Sequence, residues 1–583
     1  MSYQWIYSRP EEKYVSSLQK QLGVPNVIAK LLALRGINNF DKAKRFFRPD
    51  LSLVHDPLLM KDMDKAADRL ADGIRRCETI VVYGDYDVDG TTGTSILYSF
   101  LKDFGIDVYY YIPDRFKEGY GINPEGIEFA REHNAKLILS VDCGITAVKE
   151  AEIAKKEGID LIICDHHTVG DSIPDAVAVV DPKRPDCTYP FEGLSGAGVG
   201  FKLIQATANA LGLPQSVANK FLDLVAISIA SDIVPLADEN RILMREGLKL
   251  INQEPRQGIK ALMNLIHMNI GKVSTSHIVF SLGPRINAAG RMGDARKAVE
   301  LMVSETNMEA VQKASQLEKI NKKRRSTDTR TTKEAVRMVK KDFNMEKTGS
   351  LVLHNPNWHL GVIGIVASRL VDLYCRPAIM LSTVDGLVKG SARSIKGFNI
   401  YDALHKCDDL LEQFGGHQYA AGLTMKAENL PHFRKRLNEI TFESLTKEDM
   451  EPELFVDTEL DLGAVDKRFW KLLSQFEPFG PENMRPVFVS HDVNILGKPN
   501  IVGKGHLKMQ VYQNGSDVFD VIGFNMHQYE PALRDCSESK ISIAYALEEN
   551  NWNGKTTVQI RLKDIHINDE ECAAQALAEA AYL

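Results

Sequence analysis

Five short apolar runs, at 79–83, 107–112, 137–141, 160–164 and 176–180, are separated by helix-like stretches at 93–104, 123–133 and 146–157. This alternation constrains the fold more than any other feature of the chain. Strands that are rich in Val, Ile and Leu throughout must be covered on both faces. A parallel sheet with helices packed on either side does this, so the chain is expected to be an α/β protein. In such sheets, sites form at the carboxyl ends of the strands. Here those ends are loaded with charge: Thr79-Ile80-Val81-Val82 runs on to Asp85-Tyr86-Asp87-Val88-Asp89-Gly90, and Leu137–Val141 ends in Asp142. Leu161–Cys164 ends in Asp165-His166-His167, and a helix-like run, Val225–Ala230, leads into Asp232. Asp181, after the 176–180 run, reads as a helix N-cap.

Carboxylates crowded together repel one another unless a cation neutralises them. The DxDxDG pattern also fits the first half of a calcium loop, but such a loop needs a bidentate Glu at its twelfth position. That position is Ile96, and the preceding segment is a strand. Imidazoles with several carboxylates suit Mn²⁺, and Mg²⁺ less strictly. The number of ligands favours two ions, about 3.5–4 Å apart, with one bridging carboxylate. Two glycine clusters are read differently. Gly90-Thr-Thr-Gly93 resembles a phosphate loop but lacks the lysine of that motif. Gly196-Ala-Gly198-Val-Gly200 reads as the start of a tightly packed helix.

The rest of the chain changes character twice. Residues 1–60 are mixed and helical in tone and read as a cap on the strand–helix region; 61–302 hold that region and a mostly helical extension. Residues 303–347 carry a long polar helix free of Pro and Gly, at 303–343, that connects to a second, smaller α/β region at 348–449. From 450 to 567 short strands dominate, at 485–490, 506–512, 518–524, 541–547 and 556–562, with turns at Asn514-Gly515 and Asn553-Gly554. Five such strands predict an all-β barrel of the OB type. Residues 568–583 are an Ala-rich tail.

At 583 residues and 44% hydrophobic, three or four domains are expected from roughly 100–200 residues each. The eight cysteines form no CxxC pair, which argues against a disulfide framework or thiolate zinc. The first residues lack the pattern of a secretion signal, and no apolar run reaches the ~18 residues of a membrane span, so a cytoplasmic location is expected. A net charge of −7 argues against indiscriminate coating of nucleic acid, but local patches steer polyanions. One such patch holds Lys322, Lys323, Arg324, Arg325, Arg330, Lys333, Arg337 and Lys340; it reads equally as a solvated helix face. Arg115, the trio Arg285, Asn287 and Arg291, and the Ser391–Arg393 pair sit beside Gly, Ser or strand ends, where arginines can fork onto phosphate oxygens; each alone reads more often as an ion-pair partner, and it is their number beside the acidic clusters that points to phosphate.

These segments resemble, in order, the RecJ family of the DHH phosphoesterases. The resemblance is carried by the DYDVDGTTG segment, Asp142-Cys-Gly-Ile, Asp165-His166-His167, Ala230-Ser-Asp232-Ile-Val-Pro, Gly283-Pro-Arg-Ile-Asn-Ala-Ala-Gly-Arg, Trp358-His-Leu-Gly-Val-Ile-Gly and Phe414-Gly-Gly-His417-Gln-Tyr-Ala-Ala-Gly. It runs from about residue 60 to 567 and implies a DHH core, a connecting helix, a DHH-associated domain and an OB-like domain. It implies a 5′→3′ exonuclease on single-stranded DNA, using Mn²⁺ or Mg²⁺ and releasing 5′-mononucleotides. The metal and catalytic set it implies is Asp85, Asp87, Asp89, Asp142, His166, His167 and Asp232. Smaller DHH enzymes carry a His four residues before their DxD pair; here Tyr83 stands there, and Asp85 is implied as the replacement ligand. Arg115, Ser391 and Arg393 are implied to hold the 5′ end, and His417 to contact substrate. Cooperation with a single-strand-binding protein and a RecQ-type helicase is implied in the same way.

A channel closed between two lobes by the 303–343 helix would admit one strand and exclude a duplex. Tyr512, Phe519 and Phe524 could stack on bases, though core packing is the plainer reading of each. Two rival readings remain. A phosphodiesterase of nanoRNA or cyclic dinucleotides, or a pyrophosphatase, would be shorter and lack the 450–567 segment. A non-catalytic accessory protein would have lost the aspartates and histidines.

Overall fold

The computed structural model describes residues 3–513, 515–535, 540–552 and 555–567. The expected tail at 568–583 and the residues Asn514, Asn553 and Gly554 of the expected turns lie outside the described residues. Residues 54–451 form one compact unit, and the described residues up to 53 form another with those from 452 onward.

The larger unit is built on a five-stranded parallel sheet in the order Val108–Tyr111, Ile80–Gly84, Leu137–Val141, Asp160–Cys164, Ala178–Val180. The strands Ile80–Gly84 and Leu137–Val141 are buried at every residue, as their unbroken apolar runs require. The first helix after the sheet's Ile80–Gly84 strand spans Val88–Lys102, starting earlier than residue 93 because the Asp87 side chain accepts the Gly90 N–H and caps it. Three glycines let this strand–turn–helix close up. A Cβ at Gly84 would lie 1.9 Å from Thr94 Oγ1, one at Gly90 2.5 Å from the Asp85 backbone, and one at Gly93 2.6 Å from Val141. Gly196–Ala210 is a helix capped by Ser195, as its glycine spacing predicts. Asp181 is not a helix cap: its Oδ1 accepts the Lys183 N–H at 2.7 Å in a turn that no helix follows.

The connecting helix spans Asn307–Asp342 and buries one stripe, Ala310, Ala314, Leu317, Asn321, Asp328, Thr331, Ala335 and Val339. Spacings of three, four and seven put these on a single face. Beyond it, a second five-stranded sheet runs in the order Gln413–His417, Ala420–Met425, Leu387–Arg393, Ala378–Val384, Leu351–His354, antiparallel except for the last pair.

In the other unit, the strands Phe488–Val502, His506–Tyr512, Phe519–Gly523, Lys555–Ile567 and Ile541–Trp552 pair in that order, and the last returns to the first. The result is a closed five-stranded barrel. The described residues up to 53, expected to go with the parallel-sheet region, group instead with this unit. Val15, Leu18, Ile28, Leu31 and Leu32 share one core with Phe469, Phe476 and Phe488, and Gln4–Tyr7 pairs in parallel with Glu453–Val456. Of the three candidate stacking residues, Phe519 is buried and Tyr512 half-buried, while Phe524 is 47% exposed with the Arg561 guanidinium over its ring. Among the described residues no helix is long and apolar enough to cross a membrane.

Candidate active site

The carboxyl edge of the parallel sheet gathers all seven expected metal and catalytic residues. Their ligand atoms fall into three overlapping groups, each within 4.8 Å: Asp85, Asp87 and Asp142; Asp89, His166 and Asp232; Asp142, His166 and His167. His166 is the hub. Its Nε2 lies 3.1 Å from Asp142 Oδ1, 3.6 Å from Asp89 Oδ2 and 3.7 Å from Asp232 Oδ2. Its Nδ1 lies 2.9 Å from the Leu194 carbonyl. A carbonyl can only accept, so Nδ1 carries the proton and the Nε2 lone pair faces the carboxylates.

Each side chain of the cluster is oriented by its own element. Asp89 stands in the first turn of its helix and accepts from Gly196 N (2.7 Å), Ala197 N (2.8 Å) and Ser228 Oγ (2.6 Å). The N-terminus of helix Gly196–Ala210 thus holds a carboxylate, where its free N–H groups favour negative charge. Asp142 takes a positive φ of 62°, which Asp tolerates better than most residues. A Cβ at Gly196 would come within 2.5 Å of Asp142 Oδ1, so the glycine is needed for the approach. Asp165 is fully buried and is not a member of the three groups. It accepts from Ile145 N at 2.9 Å and from His167 Nδ1 at 2.7 Å, and so fixes the His167 ring. Tyr120 donates to the Asp142 carbonyl at 3.1 Å and lies 3.0 Å from His167 Nδ1. Tyr83 is core: fully buried, it donates to the Gly121 carbonyl.

The electrostatics call for cations. Burial first, and neighbouring carboxylates second, push Asp85, Asp87 and Asp142 above the usual carboxylate range. Asp232 is pushed up to about 8 by burial and then by Asp89 and Asp87. Burial drives His166 down; for His167 burial is outweighed by the Asp165 hydrogen bond and charge, which carry it to about 9. Asp85 Oδ1, Asp142 Oδ1 and His166 Nε2 are buried with no hydrogen-bond partner. Unsatisfied buried acceptors of this kind are costly unless an ion takes them up, and the oxygen and imidazole donor set fits Mn²⁺ or Mg²⁺.

Beside the cluster lies a cavity of about 520 Å³ lined by Arg115, Arg291, Lys389, Ser391, Arg393 and the backbone at Gly415-Gly416. Arg115 lies over the ring of Tyr86, 4.9 Å from its centroid, so the pocket adjoins the loop that carries Asp85 and Asp87. Arg393 Nη1 donates to Ser391 Oγ and the Ala392 carbonyl. Among the described residues, no carboxylate pairs with Arg115, Arg291 or Arg393. Burial, then Arg115, pushes Arg291 down to about 10 and lowers Arg393 as well. Guanidinium groups gathered without counter-charge form an anion site.

Three expected substrate residues are not part of it. Arg285 donates to Glu318 at 2.8 Å and to the Ser281 carbonyl, so it ties two helices together and offers no free fork. Asn287 is half-buried on the same helix and does not line the cavity. His417 ends the edge strand of the second sheet, exposed and outside the cavity lining. Residue patterns also missed Ser228, whose role depends on a contact 139 residues away, and Tyr120. Lys389 was legible as a base four residues before Arg393 in the same strand, on the same face of the sheet.

Residues 79–229 match the DHH family N-terminal domain, 347–442 the DHHA1 domain and 456–564 the RecJ OB domain. The single-stranded-DNA-specific exonuclease RecJ of Bacillus subtilis is 40% identical over 572 residues, covering 97% of this chain and 71% of the relative. That of Escherichia coli is 33% identical over 564 residues, covering 93% and 96%. RecJ of Thermus thermophilus, solved in complex with Mn²⁺, matches with a TM-score of 0.82 and 29% identity over 97% of this chain and 80% of that one. With three domain models in order and relatives matched along most of their length, the chain belongs to the RecJ family of DHH phosphoesterases.

Proposed function

We propose that this chain is a 5′→3′ exonuclease on single-stranded DNA that works with two divalent cations, releases 5′-mononucleotides and serves DNA repair and recombination. The observation that carries the reading is the adjacency of a cation-demanding carboxylate cluster to a carboxylate-free arginine pocket, joined where Arg115 covers Tyr86. Asp85, Asp87 and Asp142 would hold one ion and Asp89, His166 and Asp232 the other, with Asp142 shared. Bound there, the ions would supply an activated water and neutralise charge on the attacked phosphate.

The chain's own residues do the rest. Arg115, Ser391 and Arg393 grip a terminal phosphate, and Arg291 and Lys389 add charge to the same pocket. Anchoring the end of the strand sets the polarity, because only a phosphodiester next to the anchored terminus lies over the carboxylate cluster. His167, held by Asp165 and raised to about 9 in the metal-free chain chiefly by that hydrogen bond and charge, is the group placed to donate a hydrogen bond to the reacting phosphate. Lys322, Lys323, Arg325 and Arg330 are exposed on the connecting helix and unpaired with any acid among the described residues; they track the backbone of the remaining strand. A site fed by one strand needs unwound DNA, which is the place of a RecQ-type helicase and a single-strand-binding protein in this reading. The names of the relatives and the Mn²⁺ and Mg²⁺ complexes of the Thermus protein support it.

The test is hydrolysis of a single-stranded 30-mer against its duplex and an RNA of the same sequence, with Mn²⁺ and with EDTA. Mn²⁺-dependent release of mononucleotides from the single strand alone is expected. Binding without cleavage would move the chain to the accessory class, and cleavage confined to dinucleotides would refute the long-strand substrate.

A further inference from the structure

The helix Leu222–Asp232 delivers Asp232 to the metal cluster and ends at Ile233, which adopts a left-handed backbone, φ 60° and ψ 30°. Among the described non-glycine residues with positive φ, Ile233 alone is β-branched. Branching at Cβ makes this conformation especially unfavourable, and helices that end this way usually place Gly or Asn there. The side chain gains nothing in return from burial: Ile233 is 67% exposed. The turn is nevertheless locked. Val234 is buried, and Asn240 Nδ2 donates to both the Pro235 and Gly193 carbonyls. Strain held in place by its surroundings is characteristic of working sites. A second exposed apolar side chain, Phe280, at 77%, stands on the π-helical turn Ile278–Leu282. The residue that follows this turn, Gly283, packs on the end of the same helix: a Cβ there would lie 2.8 Å from Ser231 Oγ.

We propose that Ile233 is a nucleobase contact, the apolar wall of a subsite for the base of the nucleotide whose phosphodiester lies on the metal cluster. An aliphatic side chain beside Asp232 can neither bind the cations nor hold a phosphate. The apolar partner that the substrate class brings to this position is the face of a base. Contact with that face is independent of sequence, because every base has one. It also favours an unstacked strand, in which the face is free. The inference rests on the reading of the chain as a nuclease of single-stranded DNA.

The experiment compares wild type with Ile233→Gly and Ile233→Asn, both of which suit the left-handed backbone. Two 5′-phosphorylated 20-mers are cut, one ordinary and one with abasic sugars at its first two positions. Thermal melting is measured in parallel. The expected result is a Tm unchanged or raised by a few degrees and kcat/KM on the ordinary strand lowered about ten-fold. On the abasic strand the gap between wild type and variants closes. A kcat/KM on the ordinary strand within two-fold of wild type, or an equal loss on both strands, overturns the proposal. If wild type cuts neither strand, the nuclease reading itself has failed, and the base subsite with it. The Asn variant decides the matter should the Gly variant not fold.

Discussion

Truncating Arg393 to Ala separates end recognition from catalysis. Its Nη1 is occupied by Ser391 Oγ at 2.9 Å and the Ala392 carbonyl at 2.7 Å, whereas Nε and Nη2 donate to nothing among the described residues. Those two nitrogens form the fork open to a phosphate. Hydrogen bonds to a charged group contribute about 1.5–3 kcal/mol, which corresponds to roughly 10–150-fold in kcat/KM. Since no acid pairs with Arg393, its removal strands no buried carboxylate. It also relieves repulsion from Arg115, so the variant is expected to melt no lower than wild type. The assay measures kcat/KM on one oligonucleotide with a 5′-phosphate and with a 5′-hydroxyl. The loss is expected on the phosphorylated strand and to be at most a few-fold on the hydroxyl one; Arg393→Lys, which keeps the charge without the fork, falls between. Equal losses on both strands would refute the assignment of this pocket to the terminal phosphate.

Two further predictions concern the cluster. Ser228→Ala removes the 2.6 Å bond to Asp89 and leaves the Gly196 and Ala197 N–H groups in place. Loss of such an outer partner weakens metal binding by about 10–100-fold, and with two donors remaining the lower end is expected; a calorimetric Mn²⁺ affinity within two-fold of wild type would contradict it. In metal-free protein, Asp181 at about 7 and Asp232 at about 8 lie well above the ordinary carboxylate value. Raised acids lend stability that is complete below about pH 4 and lost as pH rises through 7 and 8. The Tm of EDTA-treated protein should therefore fall between about pH 4 and 8 and level off above that, while saturating Mn²⁺ widens its margin over the apo form; a flat apo profile would contradict this.

The strand ends and their acids were legible because apolar runs and carboxyl-edge charges are local signals. Asp85, which the family resemblance alone offered as a substitute where Tyr83 stands, lies in the cluster with Asp87 and Asp142, while Tyr83 is core. What escaped reading depends on partners far away in the chain. Arg285 resembles a phosphate fork until Glu318 is found beside it. Asp181 follows a strand as a cap would, but the chain turns at Lys183 and no helix begins. Residues 1–53 precede the parallel-sheet region in sequence yet bury their leucines with the barrel's phenylalanines. Ile233 carries no sign of its left-handed backbone in Asp-Ile-Val-Pro, because that conformation is imposed by Asn240 and the packing of Val234.

The central claim is that the arginine pocket and the carboxylate cluster together hydrolyse a single strand from its 5′ end. The most direct measurement uses 5′-labelled and 3′-labelled single-stranded DNA with Mn²⁺, alongside an Asp142→Ala variant that removes the carboxylate common to two of the three side-chain groups of the cluster. The account predicts immediate release of labelled mononucleotide from the 5′ label, a 3′ label that stays on progressively shortened strands, and neither product with the variant. Mononucleotide released first from the 3′ label, or undiminished cleavage by Asp142→Ala, would contradict it.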